Sequence, residues 1–114
     1  MKDNEKQLLI ELLQHERTRA ELCDLLKLDD SSMRKEVSAL ACELPVISYS
    51  TKKGYRICDV KKLIEENDQD KINEEINELR HTLAELNSRI KKLKKRMRPL
   101  IASLKVLEWR IKKC

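Results

Sequence analysis

The chain contains no phenylalanine, one glycine and two prolines, and aromatic residues make up only 3% of it. A single core spanning the whole chain would normally be richer in aromatic bulk and turn residues, so the composition favours a smaller domain with an elongated arm over one compact domain. One glycine cannot build a glycine-rich phosphate loop, and no nucleophile motif is present. His15 and His81 lie far apart, and neither neighbours a cysteine at ligand spacing. No metal site, cofactor, small-molecule substrate or catalytic activity is therefore expected. Cys23, Cys42, Cys58 and Cys114 form no CxxC pair, and Cys23 and Cys42 fall near the inward stripes of predicted helices. Long apolar runs are also missing. Gln7–Leu13 is too short and too polar for a signal peptide or a membrane span. Free thiols in the cytoplasm and no membrane partner are the resulting expectations.

Charge and aliphatic residues are abundant instead. Charged residues make up 39% of the chain, which with so few breakers reads as exposed helix. The 40% apolar share is too high for disorder. The net charge of +5 is unevenly distributed: residues 1–64 carry +1, residues 65–88 carry −6 and residues 89–114 carry +10.

The order of elements can be read from periodicity. Leu8, Leu9, Leu12 and Leu13 form a first helical stripe. Thr18-Arg-Ala-Glu21 fits a capping box opening a second helix, with Ala20, Leu22, Cys23, Leu25 and Leu26 as its apolar positions. Asp29 or Asp30 caps a third, whose inward stripe is Met33, Val37, Leu40, Ala41 and Leu44 before Pro45 ends it. Val46–Ser50 and Tyr55–Cys58, separated by a polar turn that ends in Gly54, predict a β-hairpin. Three helices followed by a hairpin is the winged-helix order.

A strict four-three alternation begins at Ile72. Ile76, Leu83, Ile90, Met97, Leu104 and Ile111 occupy heptad position a, and Ile72, Leu79, Leu86, Leu93, Leu100 and Leu107 occupy position d. Such persistence predicts a coiled-coil helix that pairs with another copy, as a homodimer or higher oligomer. Pro99 falls at an outward c position and should kink this helix or split it. The predicted organisation is mostly α with a small β wing: a winged domain over residues 1–64 and an oligomerisation helix over 65–114.

In a helix-turn-helix, the second helix of the motif enters the major groove. Its outward residues here are Ser31, Ser32, Arg34, Lys35 and Ser38, with Lys52 and Lys53 at the wing tip placed to grip phosphates. The runs Arg17–Leu28, Met33–Val37, Pro45–Ser48 and Gly54–Ile57 resemble the winged helix-turn-helix of small bacterial and bacteriophage regulators, over residues 5–58. That resemblance implies binding to double-stranded DNA, with Arg34 and Lys35 on the recognition helix and Gly54-Tyr55 closing the wing. One departure is Lys27, at the motif turn where such proteins carry Gly; a positive φ there would cost Lys about 1 kcal/mol.

Transcriptional regulation is the leading functional expectation. A packaging or recombination accessory is the nearest alternative, and a protein-interaction adaptor without DNA binding is a second, kept open by the low net charge of residues 1–64. The basic run Arg89–Arg98 is read as a solvated coiled-coil face or a partner for the acidic stretch Glu65–Glu85, ahead of a second nucleic-acid surface. Trp109, outward at position f, reads as a contact point. The charge halves favour antiparallel pairing, which sets the +10 segment along the −6 segment of the partner.

Overall fold

A computed structural model describes residues 3–49 and 54–113. The elements run α1 (Asp3–Leu12), β1 (Arg17–Thr18), α2 (Arg19–Leu26), α3 (Asp30–Ala41), β2 (Val46–Ile47), β3 (Gly54–Ile57), α4 (Val60–Glu66) and α5 (Gln69–Lys113). The protein is thus mostly helical, with a small antiparallel sheet of order β1-β3-β2 and a long C-terminal helix. The chain forms two compact units, Met1–Thr82 and Leu83–Cys114. The sequence boundary near residue 64 falls within α4, and the first unit takes in α5 as far as Thr82.

Local chemistry accounts for the helix starts. The Glu21 N–H donates to Thr18 Oγ1 at 3.2 Å, and the Thr18 hydroxyl donates to the Glu21 carboxylate at 3.3 Å. The capping residue is therefore Thr18 as expected, with the Glu21 carboxylate resting on its hydroxyl. Asp29, and not Asp30, caps α3. The Ser32 N–H donates to its carboxylate at 2.7 Å, which holds Asp29 below its ordinary carboxyl range. Asp59 and Asp68 open α4 and α5 in the same way, each accepting from a backbone N–H of the first turn.

The core of the first unit is aliphatic. Leu9, Leu13, Leu22, Met33, Val37 and Leu40 form one buried cluster, so α1, α2 and α3 each contribute the inward residues of their stripes. Ile47 is fully buried from β2. Leu8 and Leu25, stripe positions by their spacing, are 44% and 48% exposed at the margins of their faces. Ala20, Ala41 and Cys42 are exposed as well; Cys42 caps the end of α3 instead of joining the core. Among the described cysteines, Cys23, Cys42 and Cys58 are free thiols.

The hairpin pairs Val46 with Ile57 and Ile47 with Arg56. On the other edge of β3, Arg17 pairs with Tyr55 and Thr18 with Gly54. Periodicity does not predict this β1 strand, and it explains the single glycine. A Cβ on Gly54 would lie 2.7 Å from the Arg17 carbonyl oxygen and 2.9 Å from the Glu16 side chain. Gly54 thus serves close approach of two backbones, with no positive φ involved.

Lys27 does adopt the left-handed conformation, φ 56° and ψ 44°, at the C-terminus of α2. Its N–H bonds the Cys23 carbonyl, which closes the turn between α2 and α3. The Cβ of Lys is strained there, so Lys27→Gly should stabilise the fold by about 0.5–1 kcal/mol, net of the greater freedom Gly has when unfolded. Urea denaturation should show a higher midpoint with unchanged slope; a lower midpoint would contradict this account of the turn.

The long helix α5 passes through Pro99 without a break, so of the two expected outcomes, a kink or a split, the split does not occur. Among the described residues, no helix is long and apolar enough to cross a membrane.

Candidate nucleic-acid interface

The helix α3 follows α2 across the Lys27 turn, and its buried stripe of Met33, Val37 and Leu40 leaves the opposite face in solvent. Ser31, Arg34, Lys35 and Ser38 are all exposed on that face. Ser32 is half-buried because it sits over the Asp29 cap, with its N–H committed to the carboxylate. Arg34 Nε bonds Asp30 Oδ2 at 3.0 Å, one helical turn back. This exposed i,i+4 pair contributes only about 0.3–0.5 kcal/mol, so Arg34 can exchange Asp30 for a stronger acceptor at small cost. Lys52 and Lys53 lie outside the described residues.

One contact is not signalled by the sequence. Arg19, at the start of α2, donates from Nε to the Tyr55 hydroxyl of β3 at 3.3 Å, and this bond holds the Arg19 guanidinium above its ordinary pKa. The pairing links the first turn of α2 to the hairpin, where the guanidinium has further donors to offer. No local pattern marks it, because the partners are 36 residues apart.

The face of the first unit formed by β2, β3 and the start of α5 has a different character. Arg56 Nη1 donates to Glu75 Oε2 at 2.8 Å, while Nη2 donates to Oε1, a two-pronged pair. Glu75 raises the Arg56 pKa through this bonding. The Tyr49 hydroxyl donates to Glu78 Oε2 at 2.7 Å, and the Ser48 N–H donates to Thr82 Oγ1 at 3.3 Å. The Tyr49 and His81 rings lie 5.3 Å apart between centroids. Glu75 and Glu78, read as available to a partner helix, are thus engaged within their own unit. Ile72 and Leu79, on the neighbouring face, are half-buried in that unit.

Cys58 is buried beside this pair. Burial, with the Glu75 carboxylate adding to it, pushes its thiol up to about 11. A raised pKa means less thiolate, roughly one part in a thousand at pH 8. Iodoacetamide at pH 8 should therefore modify exposed Cys42 well before Cys58, by peptide mass mapping of the native protein. Equal rates would show that the sheet opens more readily than its packing indicates.

In the second unit, all a and d positions from Leu83 to Ile111 are 46–77% exposed. Trp109 is 61% exposed, with Lys113 Nζ 5.3 Å from its ring. Arg89 bonds Glu85 at 2.9 Å, one turn back. Among the described residues, no group of three or more His, Cys, Asp or Glu is placed to hold a metal ion.

No family model matches this chain, and comparison with curated proteins and with solved structures found no match.

Proposed function

We propose that this protein is a DNA-binding transcriptional regulator of bacterial or phage type, acting in the cytoplasm. It binds duplex DNA through a winged helix-turn-helix and self-associates through its C-terminal coiled coil. The observation that carries the reading is the order of elements in the first unit. A helix, a short strand, two helices across a tight left-handed turn and a hairpin leave α3 with a free face bearing Arg34 and Lys35. A helix so presented can enter the major groove, where Arg addresses guanine edges and Lys addresses phosphates. Pairing two such units raises affinity through effective concentration, because each alone has few cationic contacts.

The test is a paired substitution on α3. Arg34→Ala with Lys35→Ala should weaken binding to a selected duplex by about 1–3 kcal/mol, the scale of one base contact and one phosphate contact. Binding equal to the parent would remove α3 as the DNA surface. One observation then favours the adaptor reading: the first unit, residues 1–82, holds 14 Lys/Arg against 18 Asp/Glu, a net of −4. An acidic unit without a competent α3 face would engage protein instead of polyanion.

A further inference from the structure

The positive charge of this protein resides in its second unit. Residues 83–114 hold 11 Lys/Arg against 2 Asp/Glu, a net of +9, which with −4 for the first unit makes the whole +5. Between Leu86 and Leu107 there is no carboxylate at all, while eight Lys/Arg fall in the same interval. A solvated helix face ordinarily interleaves both signs, since i,i+4 opposite charges stabilise it and like charges do the reverse. Here Lys91–Lys95, Lys92–Arg96 and Lys94–Arg98 are all like-charge pairs one turn apart. Each costs a few tenths of a kcal/mol, and no carboxylate lies within that interval of the helix to relieve them.

The coiled coil accounts for only part of this charge. Arg89, Lys94, Arg96 and Arg110 occupy e and g positions beside the seam, where a partner helix could supply acids. Lys91, Arg98, Lys105 and Lys112 repeat every seven residues at position b, with Lys92 at c and Lys95 at f beside them. All six are exposed, on the side of α5 away from the seam. A paired helix cannot reach them. From Lys91 to Lys112 the column is about 32 Å long, from the helical rise, against about 34–36 Å for one turn of duplex DNA.

We propose that this outward stripe is a track for the phosphate backbone of duplex DNA, independent of base sequence and separate from the α3 face. The inference rests on the paired seam of the proposed function and not on its winged domain. A bilayer is a poorer fit. A helix lying on lipid buries its apolar face, which would turn the b, c and f columns away from the headgroups. The track and the seam, in contrast, can be used together.

The experiment uses the full-length protein and a mixed-sequence duplex about three helical turns long. One variant carries Lys91→Gln, Lys95→Gln, Arg98→Gln, Lys105→Gln and Lys112→Gln. A second carries the seam-flanking changes Arg89→Gln, Lys94→Gln, Arg96→Gln and Arg110→Gln. Gln is a good helix former and removes repulsion, so circular dichroism should show α5 intact in the first variant. The first variant should flatten the dependence of log affinity on log salt by roughly 2–4, at about 0.9 for each phosphate the protein no longer neutralises. The second should change that slope by less than about 0.9, the value of a single phosphate. Equal effects of both sets, or none from the first, would overturn the proposal. So would a first variant that keeps its DNA slope but no longer floats with phosphatidylserine vesicles. Arg34→Ala with Lys35→Ala separates the track from the winged domain. If that variant alone loses DNA, the winged domain is the DNA surface and the track fails. If only the five-site variant loses DNA, the track stands and the winged domain does not bind.

Discussion

Under the proposed self-association, Leu86→Asp is expected to convert an oligomer to a monomer at micromolar concentration. Leu86 sits at a d position of a nine-residue a/d series, Leu83 to Ile111, in which every side chain is at least 46% exposed in the single chain. So long an apolar stripe on one helix is stable in water only when covered, and another copy's identical stripe fits it by symmetry. The proposed pairing would bury Leu86 from each copy, so the substitution would place carboxylates in a dry layer without a cation at hydrogen-bonding distance. Each unpaired charge costs several kcal/mol, enough to dissociate a helix pair. Ala102→Asp, at an outward f position, should leave the oligomer intact. Light scattering reads both variants. A monomeric parent, or a Leu86→Asp protein of parental mass, would reject self-association through this seam.

Glu75→Ala is expected to cost the first unit about 2–3 kcal/mol. The Arg56 and Glu75 side chains are 23% and 13% exposed, and each satisfies the other through two bonds. Removing the carboxylate leaves a guanidinium poorly solvated against the sheet. A fully buried charge left so would cost about 3–5 kcal/mol, and the remaining solvent access lowers that figure. Adding Arg56→Met should recover part of the loss, because the apolar stem can stay packed without its charge. Urea unfolding of the two single variants and the double variant gives the coupling directly. Strictly additive effects would mean that the pair does not fasten α5 to β3.

The stripes of α1, α2 and α3 are readable because burying one face of a helix imposes a spacing of three and four residues, visible in any short window. Thr18 and the aspartates ahead of α3 are readable because a cap acts on the backbone three residues away. The strand β1 is not: two residues, Arg17 and Thr18, are too few to carry an alternating pattern. The seven-residue helix α4, with Val60 and Ile64 both exposed, offers no buried face to detect. Cys42 looks inward by its place near an apolar stripe, but α3 ends at Ala41 and the chain turns there. On the candidate interface, the exposed positions of Arg34 and Lys35 follow from the register of α3, whereas the Arg34–Asp30 contact is visible only with side chains in place.

Local rules therefore determined α1, α2, α3 and the long α5, the Thr18 cap, the hairpin, the heptad pattern and the separation of charge along the chain. Each depends on residues within about one or two turns of one another. Tertiary structure alone decided which of two plausible aspartates caps α3, that Lys27 takes a left-handed turn, and that Gly54 is needed for space and not for φ. It also decided that Glu75 and Glu78 belong to their own sheet, 19 and 29 residues from Arg56 and Tyr49. In the sequence those carboxylates are indistinguishable from others in the acidic stretch. A charge has many possible partners along a chain, and only the packing of the backbone brings one of them within bonding distance.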